Sequence, residues 1–191
     1  MAINLRKGEK MDIGLSQLKI GLGWDPNPGT GQSFDLDVSV FMLNAQKLLP
    51  VEDNFIFYNH PLSPDKAVHY LGDDRSGGSS DGDDEMVEID LNRVDAQIAE
   101  LLFVVTIYDY EPRRQNFGQV RNSYIRLLDV AQQDQEIARY DLDEDFSIES
   151  AVEFGRIYRR GGLWRFEASG IGYRQDLGFF IDKYSHFQVN R

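Results

Sequence analysis

The clearest β-strand of the chain is the stretch FDLDVSVFMLN, residues 34–44. Its side chains alternate, so that Phe34 and Leu36 point to one side, and this period of two residues is that of a strand. Asp35 and Asp37 fall together on the other side, where the strand begins. The stretch therefore predicts a strand that presents two neighbouring carboxylates at one end.

Strand patterns recur on both sides of this stretch at a spacing of roughly ten residues. Residues 101–107, LLFVVTI, form a continuous apolar run with β-branched members, which is typical of a buried central strand. Other strand patterns lie within residues 3–23, at 54–59, 68–71, 86–91, 123–130 and 136–141, and in a hairpin over 151–173. Many short strands with few helices predict a mostly β protein, namely a β-sandwich.

Two segments favour helices. Residues 92–100 suit a short helix that Asp95 caps, and residues 175–187 suit a closing helix. A helix over residues 147–158, capped by Ser147, is an alternative to the first strand of the hairpin. Since neither an internal repeat nor a linker divides the sequence, we expect one domain with one or two short helices.

The composition disfavours several classes of function. The chain of 191 residues has a net charge of −12, which disfavours binding to nucleic acid and direct docking on anionic lipid. The absence of cysteine excludes disulfides, thiolate metal sites and cysteine nucleophiles. No run approaches the roughly 18 apolar residues of a membrane span, and residues 1–8 lack an apolar signal core. We expect a soluble cytoplasmic protein without direct membrane insertion.

The acidic stretch GDDRSGGSSDGDDE, residues 72–85, carries six carboxylates and one cation. Two like charges about 4 Å apart repel by roughly 4 kcal/mol at an effective dielectric constant of about 20. Solvent, a basic partner or a hard cation must offset this repulsion if the loop is ordered. A second acidic segment, residues 24–37, contains two prolines and two glycines. We expect the two segments to meet at one end of the sandwich.

Shared Ca²⁺ is the interpretation that these two segments favour. Ca²⁺ takes six to eight oxygen ligands in flexible geometry, Mg²⁺ needs fewer protein ligands, and Zn²⁺ or Cu²⁺ prefers cysteine and histidine. The EF-hand pattern does not match. A solvated acidic loop and a loop that binds a basic partner are the alternatives. The predicted metal ligands are Asp25, Asp35, Asp37, Asp73, Asp74, Asp81, Asp83, Asp84 and Glu85.

Catalytic motifs are not evident in the sequence. No Ser–His–Asp spacing, G-x-S-x-G elbow or phosphate-binding glycine motif occurs, and His60, His69 and His186 show no partnered pattern. We therefore predict a binding protein rather than an enzyme. The rival hypotheses are a metal-assisted hydrolase with an Asp or Glu general base, and a Ca²⁺-independent acidic adaptor for a basic partner, whose association would weaken as salt rises.

Eight motifs occur in an order that is familiar from one protein family. They are GLGWD at 21–25, FDLD at 34–37, FIFYN at 55–59, the acidic stretch at 72–85, VVTI at 104–107, QNFGQV at 115–120, EIARYDL at 136–142 and GGLWRF at 161–166. Together they resemble the TerD family of tellurium-resistance and bacterial stress proteins over nearly the whole chain. The resemblance implies a single TerD-like domain over residues 1–191, a β-sandwich with a layout like that of C2-type calcium modules.

The resemblance also implies a function. It implies two adjacent Ca²⁺ sites, a non-catalytic binding or adaptor role encoded in a stress-response gene cluster, and a cytoplasmic location that leaves room for a peripheral place at the inner membrane through a partner. The implied partners are a TerC-type membrane protein and other proteins of the stress cluster. Carried over by position, the implied ligands are the nine above without Asp74, which stands where the family has Asn, and Asp109 is a weaker addition.

Overall fold

The protein folds into two β-sheets that pack face to face. The structure is a computed structural model that describes residues 2–26, 31–73, 82–142 and 146–186. In chain order, its strands are β1 (Ile3–Asn4), β2 (Lys10–Ile13), β3 (Gln17–Gly23), β4 (Leu36–Leu43), β5 (Phe55–Ile56), β6 (Val68–Asp73), β7 (Glu85–Asp90), β8 (Glu100–Ile107), β9 (Tyr124–Asp129), β10 (Gln135–Asp141), β11 (Ala151–Arg160), β12 (Leu163–Glu167) and β13 (Ile171–Tyr173). Its helices are α1 (Tyr110–Arg113) and α2 (Leu177–Tyr184).

Hydrogen-bonded pairing defines the order of strands in each sheet. The first sheet has the order β1-β10-β9-β3-β7-β6, and the second has the order β2-β12-β11-β8-β4-β5, with β13 also beside β11. β1 pairs in parallel with β10, and the other paired strands run antiparallel. This arrangement of two packed sheets, antiparallel apart from β1, confirms the predicted mostly β sandwich.

The main core lies between the two sheets. Alternate residues of the long strands point into it, as Ile20 and Leu127 do from the first sheet and Val40 and Phe154 do from the second. Each of these four side chains is at most 1% exposed, and burial of apolar side chains is the dominant stabilising contribution to a fold. The core thus provides a rigid frame for the loops at the ends of the sandwich.

A second, smaller core covers the outer face of the second sheet. Helix α2 packs Phe180 and Tyr184 against this face, in a cluster that includes Phe41 and Leu102. β8 is consequently buried along all eight of its residues, which explains its continuous apolar sequence. The predicted closing helix and the predicted central strand are both confirmed.

Polar contacts hold α2 at both of its ends. The Asp176 carboxylate accepts a hydrogen bond from the Phe179 amide at 3.0 Å, as an N-cap residue does. At the other end, the buried Glu153 carboxylate accepts hydrogen bonds from the Tyr184 hydroxyl at 2.5 Å and from the Lys183 ammonium at 2.7 Å. Within the described ranges of the chain, neither α1, α2 nor any other helix is long and apolar enough to cross a membrane.

The helix predicted over residues 92–100 is wrong. The segment before β8 instead forms turns. The Asp90 and Asp95 carboxylates each accept a hydrogen bond from the amide two residues ahead, at 3.1 and 2.9 Å. The Arg159 guanidinium donates to the Val94 carbonyl oxygen at 2.9 Å. These side chains satisfy backbone N–H and C=O groups of the segment. They therefore compete with the hydrogen bonds that a helix would form.

Two other segment predictions also need correction. The strand predicted over residues 54–59 is shorter, because the backbones of Phe57 and His60 bond to each other in a tight turn directly after β5. The alternative helix over residues 147–158 is wrong, since β11 occupies most of that segment and pairs with β8.

Candidate metal centre

The two acidic segments meet at one end of the sandwich. The Glu85 carboxylate, at the start of β7, accepts a hydrogen bond from the Val38 amide of β4 and another from the Tyr70 hydroxyl at 2.7 Å. β5 pairs with β4 at only two residues, Val40 and Phe41. The Val38 amide precedes these pairs in the chain and directly follows Asp37. Glu85 therefore ties the first sheet to the second near the start of β4, next in sequence to Asp37.

Asp84 and Asp25 contact their surroundings at the same end of the molecule. The Asp84 carboxylate, only 6% exposed, accepts a hydrogen bond from the Trp24 amide at 2.9 Å. The Asp25 carboxylate is exposed and accepts a hydrogen bond from the Asn122 side-chain amide at 2.5 Å. Since Trp24 follows β3 and Asp84 precedes its partner strand β7, these contacts fix the ends of both acidic segments.

Asp83 lies on the outer face of the first sheet. It occupies the space over Gly21 of β3, where a Cβ atom would overlap the carboxylate. Gly21 alternates with Ile20 and Leu22, which point into the core, so its own Cβ direction is outward. Both oxygens of Asp83 accept hydrogen bonds from the Arg126 guanidinium at 2.9 to 3.1 Å. The glycine makes room for this ion pair.

Tyr124 completes the contacts of Asp83. Its hydroxyl donates to Asp83 at 3.0 Å and also to the Gly82 carbonyl oxygen. Burial and then the neighbouring Asp83 charge raise the pKa of Tyr124 to about 12. Burial lowers the pKa of Arg126, but the hydrogen bonds and the charge of Asp83, together with Tyr124 and Glu136, raise that pKa overall. At neutral pH Arg126 is therefore cationic and Tyr124 keeps its proton.

Asp35 and Asp37 lie on the outer face of the second sheet. Asp37 points away from the main core because its neighbours Leu36 and Val38 point into it. Both aspartates are partly exposed. They line an open cavity of about 340 Å³, here called the aspartate cavity, together with Tyr58, Tyr108 and Arg113. A cation from solvent can reach both carboxylates through its mouth.

A second cavity, of about 330 Å³, adjoins the aspartate cavity and shares Asp37 with it. Its wall adds three more carboxylates, those of Asp109, Glu111 and Asp176. Asp109 directly precedes α1 in the left-handed conformation, with φ of 51°, which aspartate tolerates better than most residues. The weaker candidate ligand Asp109 therefore lines the same cavity as Asp37.

The structure brings some of the predicted ligands together and separates others. Asp35 and Asp37 share a cavity, whereas Asp83 lies on the opposite outer face of the sandwich. Among the residues that the structure describes, no group of three Asp, Glu or His side chains is placed to hold one metal ion. Outside the described residues lie the side chain of Asp73 and the whole of Asp74 and Asp81.

Sequence reasoning missed the aromatic and cationic lining of the aspartate cavity. The Arg113 Nη1 atom lies 3.9 Å from Asp35 Oδ2, and the guanidinium carbon lies 5.2 Å from the centre of the Tyr108 ring. Tyr58 joins the lining from the turn after β5. The sequence held one indication of this lining. Tyr108 directly follows a fully buried strand, where a loop leaves the end of the sheet, and such loops often carry functional residues.

The family model called TerD domain matches residues 1–184. The chain belongs to the TerD family. Among curated proteins, it is 44% identical over 190 residues to general stress protein 16U of Bacillus subtilis, with 96% of this chain and 97% of that protein covered. It is 42% identical over 189 residues to tellurium resistance protein TerD of Serratia marcescens, again with 96% and 97% covered. These matches confirm the resemblance that the eight motifs indicated.

Two solved structures share the fold of this TerD-family chain. One is a crystal structure of a protein of unknown function, with a TM-score of 0.74 at 24% identity, and the match covers 88% of this chain and 96% of the other. The second is a homologue of telluride resistance protein (TerD) from Streptomyces coelicolor, with a TM-score of 0.73 at 23% identity and the same coverage. At these identities, the likeness establishes the architecture.

The QNFGQV motif of this TerD-family chain, residues 115–120, holds the loop that leads to Asp35. The Gln115 side-chain amide, 7% exposed, donates hydrogen bonds to the carbonyl oxygens of Gln32 and Ser33 at 2.9 and 3.2 Å. Gln32 and Ser33 lie two to three residues before Asp35 in the chain. The motif therefore positions one wall of the aspartate cavity from a distant part of the sequence.

Proposed function

We propose that this TerD-family chain is a calcium-binding stress protein that acts by binding rather than by catalysis. The observation that carries the proposal is the placement of Asp35 and Asp37 in one open cavity, at the end where Glu85 brings in the acidic stretch of residues 72–85. Carboxylates that share a cavity repel each other. A divalent cation would cancel this repulsion and link the loops at that end.

The donor chemistry of the cavity fits a hard cation. The described residues offer oxygen donors, namely the carboxylates of Asp35 and Asp37, with Asp109 in the adjoining cavity. Ca²⁺ requires six to eight oxygen ligands. The remaining ligands would come from carbonyl groups, water and the carboxylates of Asp73, Asp74 and Asp81. Two adjoining cavities that share Asp37 support two adjacent ions.

In this proposal, Asp83, Asp84 and Glu85 hold the end of the acidic stretch, residues 72–85, in position. Each of these carboxylates already accepts hydrogen bonds from the protein, from Arg126, the Trp24 amide and the Val38 amide respectively. Ordering a loop around an ion costs conformational entropy, and a loop that is fixed at one end loses less of it on binding. The three groups would thus increase the affinity of the site without contacting the ion.

The positions of the three histidines argue against a histidine general base at the two cavities. His60 closes the turn after β5 and contacts the Asp53 carbonyl oxygen at 3.2 Å. His69 lies in β6, and His186 follows α2. In the described part of the chain, no histidine lines either of the two cavities that share Asp37. A histidine general base would have to lie within hydrogen-bond reach of a substrate bound there.

An adaptor role in the cytoplasm is part of the same proposal. The relatives are named for stress response and tellurium resistance, and the family resemblance implies a TerC-type membrane protein as a partner. Retention of such a detergent-solubilised protein on the immobilised chain in calcium, with loss in EGTA, would support a calcium-dependent adaptor. Equal retention under both conditions would favour the calcium-independent alternative.

The thermal stability of matched variants tests the proposed site. Ca²⁺ at about a thousandfold above Kd should stabilise the wild-type protein by about 4 kcal/mol, which corresponds to a rise in Tm of roughly 10 °C for a chain of this size. The double substitution Asp35→Asn with Asp37→Asn should abolish the rise and leave the metal-free protein folded. Circular dichroism melting curves in calcium and in EDTA measure both quantities.

The control is Glu52→Gln with Asp53→Asn. These two exposed residues precede β5, at the other end of β4 from the aspartates, and the control removes the same number of charges. It should keep the full calcium-dependent rise. A wild-type melting curve that is the same in calcium and EDTA would contradict calcium binding, and a full rise in the Asp35 and Asp37 variant would place the ion elsewhere.

A further inference from the structure

Among the residues that the structure describes, the aspartate cavity is lined by a positive side chain, that of Arg113. Arg113 is the last residue of α1, a single turn that lies between two residues in the left-handed conformation, Asp109 with φ of 51° and Arg114 with φ of 54°. This short turn directs the Arg113 side chain over the Tyr108 ring, at 5.2 Å, and toward Asp35, with 3.9 Å between Nη1 and Oδ2.

The pair between Arg113 and Asp35 is loose in comparison with other ion pairs of the molecule. Arg126 lies 2.9 Å from Asp83, within hydrogen-bond distance. At 3.9 Å, the Arg113 guanidinium attracts Asp35 without a hydrogen bond. Both side chains are 21% exposed, so water screens part of the attraction. Arg113 can therefore leave the carboxylate without breaking a strong bond.

The surroundings of Arg113 also permit it to move. Helix α1 is four residues long and contains no buried residue. Arg113 ends this short surface helix. Movement of the Arg113 side chain therefore requires no rearrangement of the two cores. Its side chain is held on one side by the ring of an exposed tyrosine, Tyr108, and cation–π contacts at exposed sites are weak.

We propose that Arg113 is a tethered counter-ion of the aspartate cavity that competes with the bound metal ion. In the metal-free protein, its guanidinium offsets part of the repulsion between Asp35 and Asp37. An incoming Ca²⁺ must displace the guanidinium or share the carboxylates with a like charge. Arg113 thus sets how much free calcium is needed to fill the cavity. This inference rests on the proposed calcium site and adds a regulatory element to it.

Calorimetric titration of CaCl₂ into the full-length, chelator-stripped protein tests the inference. We expect Arg113→Gln to lower the Kd for calcium by about tenfold, because the competing charge is gone. Arg114→Gln is the matched control, since Arg114 is exposed, adjacent in sequence and not among the residues that line the cavity. It should change Kd by less than about twofold, as an exposed charge is screened by salt.

Two further measurements separate charge from folding effects. Arg113→Lys keeps the positive charge and should bind calcium with an affinity close to that of the wild type. In EDTA, Arg113→Gln should melt at a lower temperature than Arg114→Gln, because the repulsion between Asp35 and Asp37 is no longer offset. A folded Arg113→Gln protein with a lower EDTA melting temperature and a tighter Kd would support the inference.

The failure of the inference and the failure of the calcium site give different results. Equal Kd values for the wild type and Arg113→Gln would overturn the inference and leave the site intact. Equal tightening in Arg113→Gln and Arg114→Gln would assign the effect to net charge and would also overturn it. No binding of calcium by the wild type would overturn the proposed function, and the inference with it.

Discussion

Single residues at the loop end of the sandwich differ in what they contact, and this difference assigns their roles. The Asp83 side chain is 3% exposed and paired with Arg126, and Glu85 is 1% exposed and accepts hydrogen bonds from two protein donors. Asp35 and Asp37 are partly exposed and face the aspartate cavity. A buried carboxylate is costly without a partner, and the buried carboxylates of Asp83 and Glu85 both have fixed protein donors.

The Asp83–Arg126 pair provides a prediction at this scale. Arg126→Leu should lower the free energy of unfolding by about 2 kcal/mol, between the values for exposed and buried pairs, because it leaves Asp83 nearly buried without its cation. Adding Asp83→Asn should recover part of the loss. Urea denaturation of the wild type, both single variants and the double variant measures the coupling.

An exposed pair is the control for this experiment. Lys19 contacts Asp134 at 2.7 Å, and the Asp134 side chain is 41% exposed, so Lys19→Leu should cost less than about 1 kcal/mol. If Arg126→Leu costs no more than Lys19→Leu, or if the Asp83 and Arg126 substitutions are simply additive, Asp83 is not anchored as described.

Among the elements, α2 depends on a polar cluster beneath it. The Glu153 carboxylate, 5% exposed, joins β11 to the Tyr184 hydroxyl and to the Lys183 ammonium. Burial and then the hydrogen bond to Glu153 raise the pKa of Tyr184. Burial lowers the pKa of Lys183, but its hydrogen bonds to Glu153 and two tyrosines outweigh this and raise it overall. Both protons are therefore held more tightly in the folded state than in the unfolded chain.

The raised pKa of Tyr184 predicts a loss of stability at high pH. The stabilisation that it provides is complete below the unfolded pKa of about 10 and decreases as pH rises toward the folded pKa, by up to about 1.4 kcal/mol per pH unit. Tyr184→Phe lacks this titration, so its unfolding free energy should fall less steeply above pH 10. Denaturant titrations at several pH values from neutral to alkaline provide the two slopes.

A control for the pH experiment is Tyr158→Phe in β11, a partly exposed tyrosine that lies outside the Glu153 cluster. It should retain the wild-type slope. Identical slopes for the wild type and Tyr184→Phe above pH 10 would mean that the tyrosine hydroxyl does not hold its proton through Glu153.

The elements also show which parts of the fold can be predicted from sequence. Most of the strand predicted over residues 34–44 forms as β4, residues 36–43, because one side faces the main core and the other faces α2 or solvent. The helix expected over 92–100 fails because Arg159, more than sixty residues later in the sequence, binds its backbone carbonyls. Strand periodicity can be read from neighbouring residues in the sequence. A hydrogen bond from a distant side chain to the backbone cannot.

The candidate site divides in the same way. The neighbouring carboxylates of Asp35 and Asp37 follow from the alternation of residues 34–44, and the structure places both in one cavity. The direction of Asp83 depends on the space over Gly21 and on Arg126 from another strand, and the position of Arg113 depends on a single turn of helix. Contacts of this kind depend on the three-dimensional structure and cannot be predicted from a pattern in the sequence.

At the scale of the whole molecule, two sheets with a shared core support loops that bring acidic groups to one end. The net charge of −12 opposes this concentration of carboxylates. Arg126 and Arg113 offset part of it within the described structure. Calcium would offset more of it, and it would stabilise the loop end while leaving the two apolar cores unchanged.

Calorimetric titration of calcium into chelator-stripped wild-type protein is therefore the decisive measurement. We predict saturable binding of about two Ca²⁺ per chain, in keeping with two adjoining carboxylate cavities and the oxygen ligands that calcium prefers. Asp35→Asn with Asp37→Asn should remove it. A titration of folded wild-type protein that shows no saturable calcium binding would contradict the proposed function.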